Sequence, residues 1–328
     1  MIPTLAADAR LLECLESLGR QTQRDFEAIV VDNSGAGRVR LNCPAIAARV
    51  IENPRNAGYG AAVNQGFEAS RSPFLAVLND DAVAHPDWLR SLVAAIQARP
   101  DVGMCASQVR LFGEDRLDSA AMLIARDGSS KQRGNGRPPE DFPAPEEALF
   151  PIGSAALYRR AMLDDIGLFD PAFFLYCEDT DLGLRARWAG WKCLYVPDAA
   201  VEHHYSHSAG RASRLKAFYV ERNRLFVVAK NFPGGMLALA PLAALARYLW
   251  HLWYILQGRG SAARFRAEGN AGLRMIWYVV RAHAAALASA GRLWGQRREI
   301  QGNARIAPRV FRALLASHSI SARKVAEL

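Results

Sequence analysis

Cysteine is scarce in this 328-residue sequence: Cys14, Cys43, Cys105, Cys177 and Cys193 are scattered, odd in number and form no C-x-x-C pair. That excludes a disulfide framework and a zinc knuckle, and points to a reducing, cytosolic setting. The opening MIPTLAADARLLECLESL has no basic start followed by an apolar core segment, so no signal peptide is expected. A long uncharged apolar run is missing too. The longest such stretch before Arg247, residues 231–246, contains Pro233, Gly234, Gly235 and Pro241, whereas a spanning helix wants about 20 apolar residues. Acidic residues become rare late in the chain. Residues 209–328 hold 20 Lys+Arg against 4 Asp+Glu, while residues 1–208 hold 21 against 28. A basic half of this kind suits a nucleic acid or an anionic membrane surface.

What is present is an alternation of short apolar strands and helices. Leu11, Leu12, Leu15 and Leu18 recur at helical spacing, and Ala28 to Val31 follows as a strand. RVIEN reads as a second strand, NAGYGAAVNQGFEAS as a glycine-rich loop opening a helix, and PFLAVLNDD as a buried strand. PDWLRSLVAAIQARP is a helix entered at Pro86 and Asp87 and bounded by Pro100. The pattern predicts an α/β domain whose mixed, mainly parallel sheet is flanked by helices, with ligands gathered at the carboxyl ends of strands. Asp32-Asn33 and Asn79-Asp80-Asp81 both stand at such ends. Adjacent carboxylates repel, so Asp80 and Asp81 mark a capping accident, a solvated turn, or oxygen ligands for a hard divalent cation.

Residues 126–147, RDGSSKQRGNGRPPEDFPAPEE, show no apolar period and predict a long loop serving as a functional flap or a disordered segment. LFPIGSAALYRRAMLDDIGLFD then resumes strand and helix. CEDTDLGLRARWAGW starts a helix with acids in its first turn and arginines later, as the helix dipole favours. The organisation expected is a catalytic domain over 1–215 and a basic, aromatic helical region over 216–328. In the latter, Tyr248, Trp250, Trp253 and Tyr254 are residue types that settle at headgroup depth, and Arg259, Arg264 and Arg266 follow. We expect a helix lying in the membrane interface, weighed against an ordinary helical bundle with solvated arginines.

The segments IPT, LLECLESLGRQT, DFEAIVVDNS, NPRNAGYGAAVNQGF, FLAVLNDDAVAHPDWL and PIGSAALYRR…LYCEDTDLGLRARWAGWKCLYVPDAAVEHH resemble, in that order over about residues 2–225, the inverting GT-A glycosyltransferases of family 2. The rhamnosyltransferase-type branch is the most similar. The resemblance implies that Pro3, Asp32 and Asn33 hold the nucleoside of a sugar donor, with Asn56 and Gly58 against the nucleotide and Asn64 nearby. Asn79-Asp80-Asp81 takes the place of the D-x-D that bridges a divalent metal, Mg²⁺ or Mn²⁺, to the diphosphate. Because Asn stands at the first position, Asp81, with Asp80 beside it, becomes the direct ligand. Asp179, with Glu178 next to it, matches the general base, His203 a histidine that reaches the metal or diphosphate, and Gly153-Ser154 a segment beside the acceptor pocket. Relatives carry a fuller apolar strand before IPT. Here Met1 and Ile2 stand alone, and each buried backbone group left unpaired costs roughly 1–3 kcal/mol, so residues upstream are expected.

The implied partners are a nucleotide-sugar donor, dTDP-L-rhamnose by the branch resemblance, and a saccharide or polyprenyl-linked acceptor, with the protein peripheral at the cytoplasmic face of the membrane and no nucleic acid. The chemistry suits these groups. Displacing a nucleoside diphosphate needs charge neutralisation on the leaving group and removal of a proton from the attacking hydroxyl. A carboxylate near its ordinary pKa of ~3.9 suffices for the second task, since the alcohol gives up its proton late.

Plainer readings stand beside these. Glu178, Asp179 and Asp181 could decorate a helix start, with Asp181 paired at i+4 to Arg185. Gly58 and Gly60, and likewise Gly153-Ser154, could serve turns alone. His203 and His204 could be packed core histidines, the preferred reading for His204 and His207. A sugar-nucleotide pyrophosphorylase would want a glycine-rich basic loop after the first strand, and PTLAADARLL has no glycine. A nucleic-acid-binding protein lacks any recognised motif for that role here.

Overall fold

The computed structural model describes residues 1–39, 46–204, 214–260 and 273–328. Cys43, His207, Arg264 and Arg266 lie outside the described residues. The chain divides into two compact units. The first takes Met1–Met122, Gln132–Phe174 and Gly190–Ser208, the second Leu123–Lys131, Leu175–Ala189 and Ala209–Leu328.

The first unit runs β1 (Ile2–Thr4), α1 (Ala9–Gly19), β2 (Ala28–Asp32), β3 (Ala48–Glu52), α2 (Tyr59–Ala69), β4 (Phe74–Leu78), β5 (Ala82–Ala84), α3 (Trp88–Gln97), β6 (Val102–Leu111) and β7 (Leu117–Ser119). After the hairpin of β8 (Met122–Ile124) and β9 (Ser130–Gln132) come β10 (Glu146–Ala148), β11 (Ala155–Arg159), α4 (Arg160–Ile166) and, after an interval, β12 (Lys192–His203). β1, β2 and β3 form a parallel sheet, with Ile2 opposite Val30 and Val30 opposite Val50. The other large sheet is mixed: its path is β10-β12-β6-β11-β4, with β12 parallel to β6 and β11 antiparallel to both its neighbours. Short as β1 is, the Met1 carbonyl accepts from Leu78 N at 3.1 Å and carries the hydrogen bonding on to β4.

Every residue of AIVVD in β2 is buried, as a strand covered on both faces demands. Val30 joins the core with α1 and α3, while Ile29 and Val31 face Ala62 of α2. Asp8 caps α1 by accepting from Arg10 N at 3.1 Å and Leu11 N at 3.4 Å, which satisfies donors the first turn leaves open. Leu11, Leu15 and Leu18 are buried as expected, but Leu12 falls one position off that face and is exposed.

The expectation of a structureless segment over 126–147 is corrected. It contains β9, a 3₁₀ turn at Pro139–Asp141 and most of β10, whose Glu146 pairs with Tyr195. Side chains fix it where apolar periodicity is absent: Arg133 donates to Ala120 O at 2.6 Å and Glu146 Oε1 at 2.7 Å, and lies over the Phe142 and Tyr195 rings.

The second unit is helical: α5 (Glu178–Trp188), α6 (Arg214–Asn231), α7 (Gly234–Leu256), α8 (Leu273–Ala288), α9 (Ala290–Gly302), α10 (Pro308–Ser317) and α11 (Ala322–Glu327). Trp188 of α5 stacks on Phe311 of α10 at 3.9 Å and gives its indole N–H to Asn231 O of α6. Asp181 pairs with Arg185, as its spacing suggested, and also takes Lys230 Nζ and Asn231 Nδ2 at 2.9 Å. α7 continues through Pro241 without a break, and by length and composition it is long and apolar enough to cross a membrane.

Candidate functional site

β4 ends in Asn79, Asp80 and Asp81, and strand register brings the rest of the first unit's polar cluster to them. β12 pairs with β5 so that His203 lies opposite Ala82, one residue from Asp81. β12 also sets His203 beside Leu111 of β6, whose neighbour β7 carries Asp118. His203 Nε2 stands 3.1 Å from Asp81 Oδ1, and His203 Nδ1 stands 3.0 Å from Asp118 Oδ2. Burial alone would lower the imidazole pKa. The two carboxylates raise it to about 10, so an imidazolium stands between them. Burial opposes ionisation of Asp81, and His203 overcomes it, holding the carboxyl below its ordinary value. The approach of His203 is close enough for an ion pair yet poorly directed, which leaves the buried Asp81 Oδ1 without an aligned hydrogen bond.

Asp80 lacks such a partner. Its Oδ2 accepts from Thr4 Oγ1 at 2.5 Å, and burial, with the charges of Asp81 and Asp8, pushes its pKa up to about 6. Among the described residues neither aspartate meets a lysine or arginine, and no group of three or more His, Cys, Asp and Glu side chains is arranged to hold a metal ion by itself. Two carboxylates and an open remainder fit a cation such as Mg²⁺, which takes one or two protein carboxylates and completes its shell with phosphate and water oxygens.

Gly153 and Ser154 lie against the same strand end. Asn79 N donates to Ser154 O at 2.8 Å, and the Tyr59 hydroxyl donates to Gly153 O at 2.5 Å and contacts Asn79 Oδ1 at 3.2 Å. Ser154 Oγ is buried and has no hydrogen-bond partner.

The amides expected near the nucleotide are engaged with the protein. Asn33 Nδ2 donates to Asn56 Oδ1 and Gly58 O, while its Oδ1 accepts from Ala57 N and Asn53 Nδ2. Asn33 therefore organises the loop before α2. Asp32, fully buried, accepts from Ser34 N and Val39 N and organises the loop after β2. Pro3 pairs with Val31 inside the parallel sheet. Asn64 exchanges hydrogen bonds with the backbone of Phe169 at 2.8 and 3.0 Å. At Gly58, φ is +92° and an added Cβ would come within 2.5 Å of Phe174 O, so only glycine lets the α2 entrance approach that backbone. His204 stacks on Phe112 at 3.7 Å and meets Glu13, which is the packed role expected of it.

Glu178 and Asp179 belong to the second unit, where they open α5. Tyr176 and Cys177 just before them have φ of +70° and +65°, values that cost non-glycine residues roughly 1–3 kcal/mol each and gather at functional sites. Asn223 of α6 holds this turn, donating to Leu175 O at 2.8 Å and Tyr176 O at 2.7 Å. Asp179 Oδ1 accepts from Thr180 N at 2.6 Å. Burial and the charge of Asp179 raise Glu178 to about 8, so Glu178 keeps its proton at neutral pH, and its buried Oε2 has no hydrogen-bond partner.

Sequence reasoning missed Asp118 and Thr4. Asp118 lies in an unremarkable LDS, 85 positions from His203, and only the strand register reveals it.

Residues 1–167 match the family described as glycosyl transferase family 2. The N-acetylglucosaminyl-diphospho-decaprenol L-rhamnosyltransferase of Mycobacterium tuberculosis is 30% identical over 247 residues, covering 66% of this chain and 79% of that protein. Among solved structures, GalNAc-T7 with UDP, GalNAc and Mn²⁺ superposes with a TM-score of 0.56 at 17% identity, covering 70% of this chain and 47% of that one. The mannosyltransferase PcManGT of Pyrobaculum calidifontis, in complex with GDP-Man and Mn²⁺, gives 0.50 at 18% identity, covering 92% and 84%. The mixed, helix-flanked sheet is thus a GT-A fold, and the chain belongs to glycosyl transferase family 2 as a nucleotide-sugar glycosyltransferase.

Proposed function

We propose that this protein moves L-rhamnose, with inversion, from a dTDP donor to a polyprenyl-diphosphate-linked saccharide at the cytoplasmic face of a membrane. The observation that carries the reading is the adjacent Asp80–Asp81 pair at the end of β4, Asp80 half-buried and Asp81 buried, with no lysine or arginine against it among the described residues. The Mycobacterium tuberculosis relative, named for a decaprenol-linked substrate and L-rhamnose, supports the choice of acceptor and sugar. Mn²⁺ in the two solved neighbours supports a divalent ion at Asp81, with Asp80 and His203 beside it.

That ion, Mg²⁺ or Mn²⁺, supplies neutralising charge to the departing diphosphate. Asp81, with Asp80 beside it, would hold that ion and through it the diphosphate end of the donor, and Thr4 and His203 fix the directions of the carboxylate oxygens. Asn33, Asn56, Asn64, Asp32 and Gly58 shape the nucleotide-side loops, and Pro3 anchors the strand behind them. Gly153 and Ser154, tied to Asn79, border the sugar. Asp179 takes the proton of the attacking hydroxyl as the new bond to the anomeric carbon forms and the bond to diphosphate breaks on the opposite side. Glu178, which retains its proton, leaves Asp179 as the base.

Membrane contact has its own support in the second unit. Leu239, Leu242, Leu249, Leu252 and Leu256 of α7 are each more than half exposed, whereas the inward side of the same helix buries Arg247 and Tyr254. That inverts the usual soluble pattern and suits a helix whose outer face meets lipid. Arg247 is bound to Asp127 Oδ2 at 2.5 Å and Glu221 Oε2 at 2.8 Å within the unit, which keeps α7 lying along it in the interface rather than crossing.

Melting of the full chain with dTDP-, UDP- and GDP-sugars, with and without Mn²⁺, tests the donor assignment. A dTDP-sugar at 100 times its Kd should stabilise by about 2.7 kcal/mol, and only when the cation is present. Asp179→Asn should then lose about 10²–10⁴-fold in transfer and keep that donor-induced shift. Retained turnover overturns the base assignment.

A further inference from the structure

The second unit contains a groove of about 510 Å³ among α6, α7, α8 and α9, within the usual range of small-ligand sites. Its walls are aliphatic: Leu225 and Val228 from α6, Leu237 and Ala244 from α7, Leu287 from α8 and Leu293 from α9. Most of the polar atoms that reach it are engaged elsewhere, although the buried Arg224 Nε has no hydrogen-bond partner among the described residues. Tyr248 gives its hydroxyl to Glu221 Oε1, Arg224 gives Nη2 to the same oxygen and Nη1 to Asp127 O, and His283 Nδ1 contacts Val279 O at 2.9 Å. A groove walled in this way favours hydrocarbon over a polar ligand. Leu287, Leu245 and Trp294 on its walls are each more than half exposed, so an occupant would bury apolar surface now in water.

Its position says which hydrocarbon. Asn223 of α6 holds the strained turn immediately before Asp179, and the next residues of the same helix, Arg224, Leu225 and Val228, line the groove. One turn of helix, about 5.4 Å, separates the two functions. We infer that the groove seats the isoprenoid tail of the acceptor, so that the helix positioning the base also positions the lipid whose sugar that base deprotonates. This rests on the lipid-linked acceptor proposed above. The occupant is an isoprenoid chain attached to diphosphate, rather than an acyl chain of bulk lipid.

The test uses the full chain and geranylgeranyl diphosphate carrying a diazirine at the tail end, with labelled positions mapped by mass spectrometry. Labelling should fall on the inward residues of α6 to α9, such as Val228 and Leu237. Ala286→Trp and Ala229→Phe, each filling the groove from a different helix, should reduce it at least tenfold while circular dichroism shows the helices intact. Unlabelled geranylgeranyl diphosphate should suppress labelling, and phosphatidylglycerol vesicles at equal chain concentration should not. Labelling confined to the outer leucines of α7, or suppressed equally by the vesicles, overturns the inference. The acceptor reading fails separately. A chain that labels in the groove but transfers no sugar keeps the groove and loses that reading, and a chain that transfers sugar to a lipid-linked acceptor but never labels there loses the groove alone.

Discussion

Asp127 and Glu221 in the second unit are buried with Arg224 and Arg247 against them, whereas in the first the half-buried Asp80 and the buried Asp81 have neither arginine nor lysine against them among the described residues. The residue types match, and the surroundings send them in opposite directions. Burial opposes charge at both places, but the two guanidiniums and the Tyr248 hydroxyl hold Glu221 well below the usual carboxylate range, while Asp80 rises to about 6. A cluster balanced by its own chain needs nothing from solution and acts as structure. A cluster left short of positive charge can accept a cation from solution. The start of α5 repeats the contrast within one turn: Asp181 is enclosed by Lys230, Arg185 and Asn231, and Glu178 three residues earlier holds its proton instead.

The comparison breaks most visibly at the unbalanced cluster. Asp81→Asn should cost roughly 10³-fold in turnover, because charge stabilisation of this kind contributes several kcal/mol to the transition state. Melting in the absence of cation should also fall, because one of the two carboxylates that hold the buried His203 imidazolium is lost. A variant that turns over normally, with unchanged Mn²⁺ dependence, removes the donor-diphosphate role from β4.

At the balanced cluster the expected loss is of stability. Glu221→Gln leaves two arginines buried without their shared carboxylate, and breaking a buried pair from one side costs about 3–5 kcal/mol. The sign with pH follows from the lowered pKa. The Glu221 contribution is fully present above its ordinary value of 4.5 and drains away as pH falls through the lower folded value. The melting difference between wild type and Glu221→Gln should therefore be largest near neutrality and shrink steadily below about pH 4.5. A difference that widens on acidification would mean that Glu221 is not held by its arginines.

How much of this the sequence discloses depends on range. Helix and strand periods and the acids at the mouth of β4 are local, and FLAVLNDD carries its own message. For α7 the sequence shows Pro241 and Arg247 within an apolar stretch but not how the helix accommodates them. The helix passes through Pro241, and Arg247 is neutralised by Asp127, 120 positions earlier, and Glu221, 26 earlier. The expected loop over 126–147 likewise owes its order to Arg133 reaching back to Ala120 and forward to Glu146. Asn33 and Asn64 could be flagged as important from their motifs. That their amides hold loops became visible only with Asn53, Ala57 and Phe169 in place.

Asp118 offers the finest discrimination between the clusters, because it belongs to the unbalanced one without standing at β4. It is fully buried, and it holds the Nδ1 side of His203 while the Nε2 side faces Asp81. A carboxylate behind an imidazole fixes the orientation of the ring, and loss of such a partner typically costs 10–100-fold in metal affinity or activity. Asp118→Asn preserves the shape and can still accept a hydrogen bond from Nδ1, so the ring should keep its place while one of its two counter-charges disappears. The expected result is a 10–100-fold weaker response to Mn²⁺ in donor-dependent melting, smaller than the effect of Asp81→Asn, beside a loss of cation-free stability from the broken buried pair. Were Asp118 a structural residue like Asp181 or Glu221, the same substitution would lower the cation-free melting point alone and leave the Mn²⁺ response as it was. The two curves, with and without cation, therefore assign Asp118 to one kind of cluster or the other from a single variant.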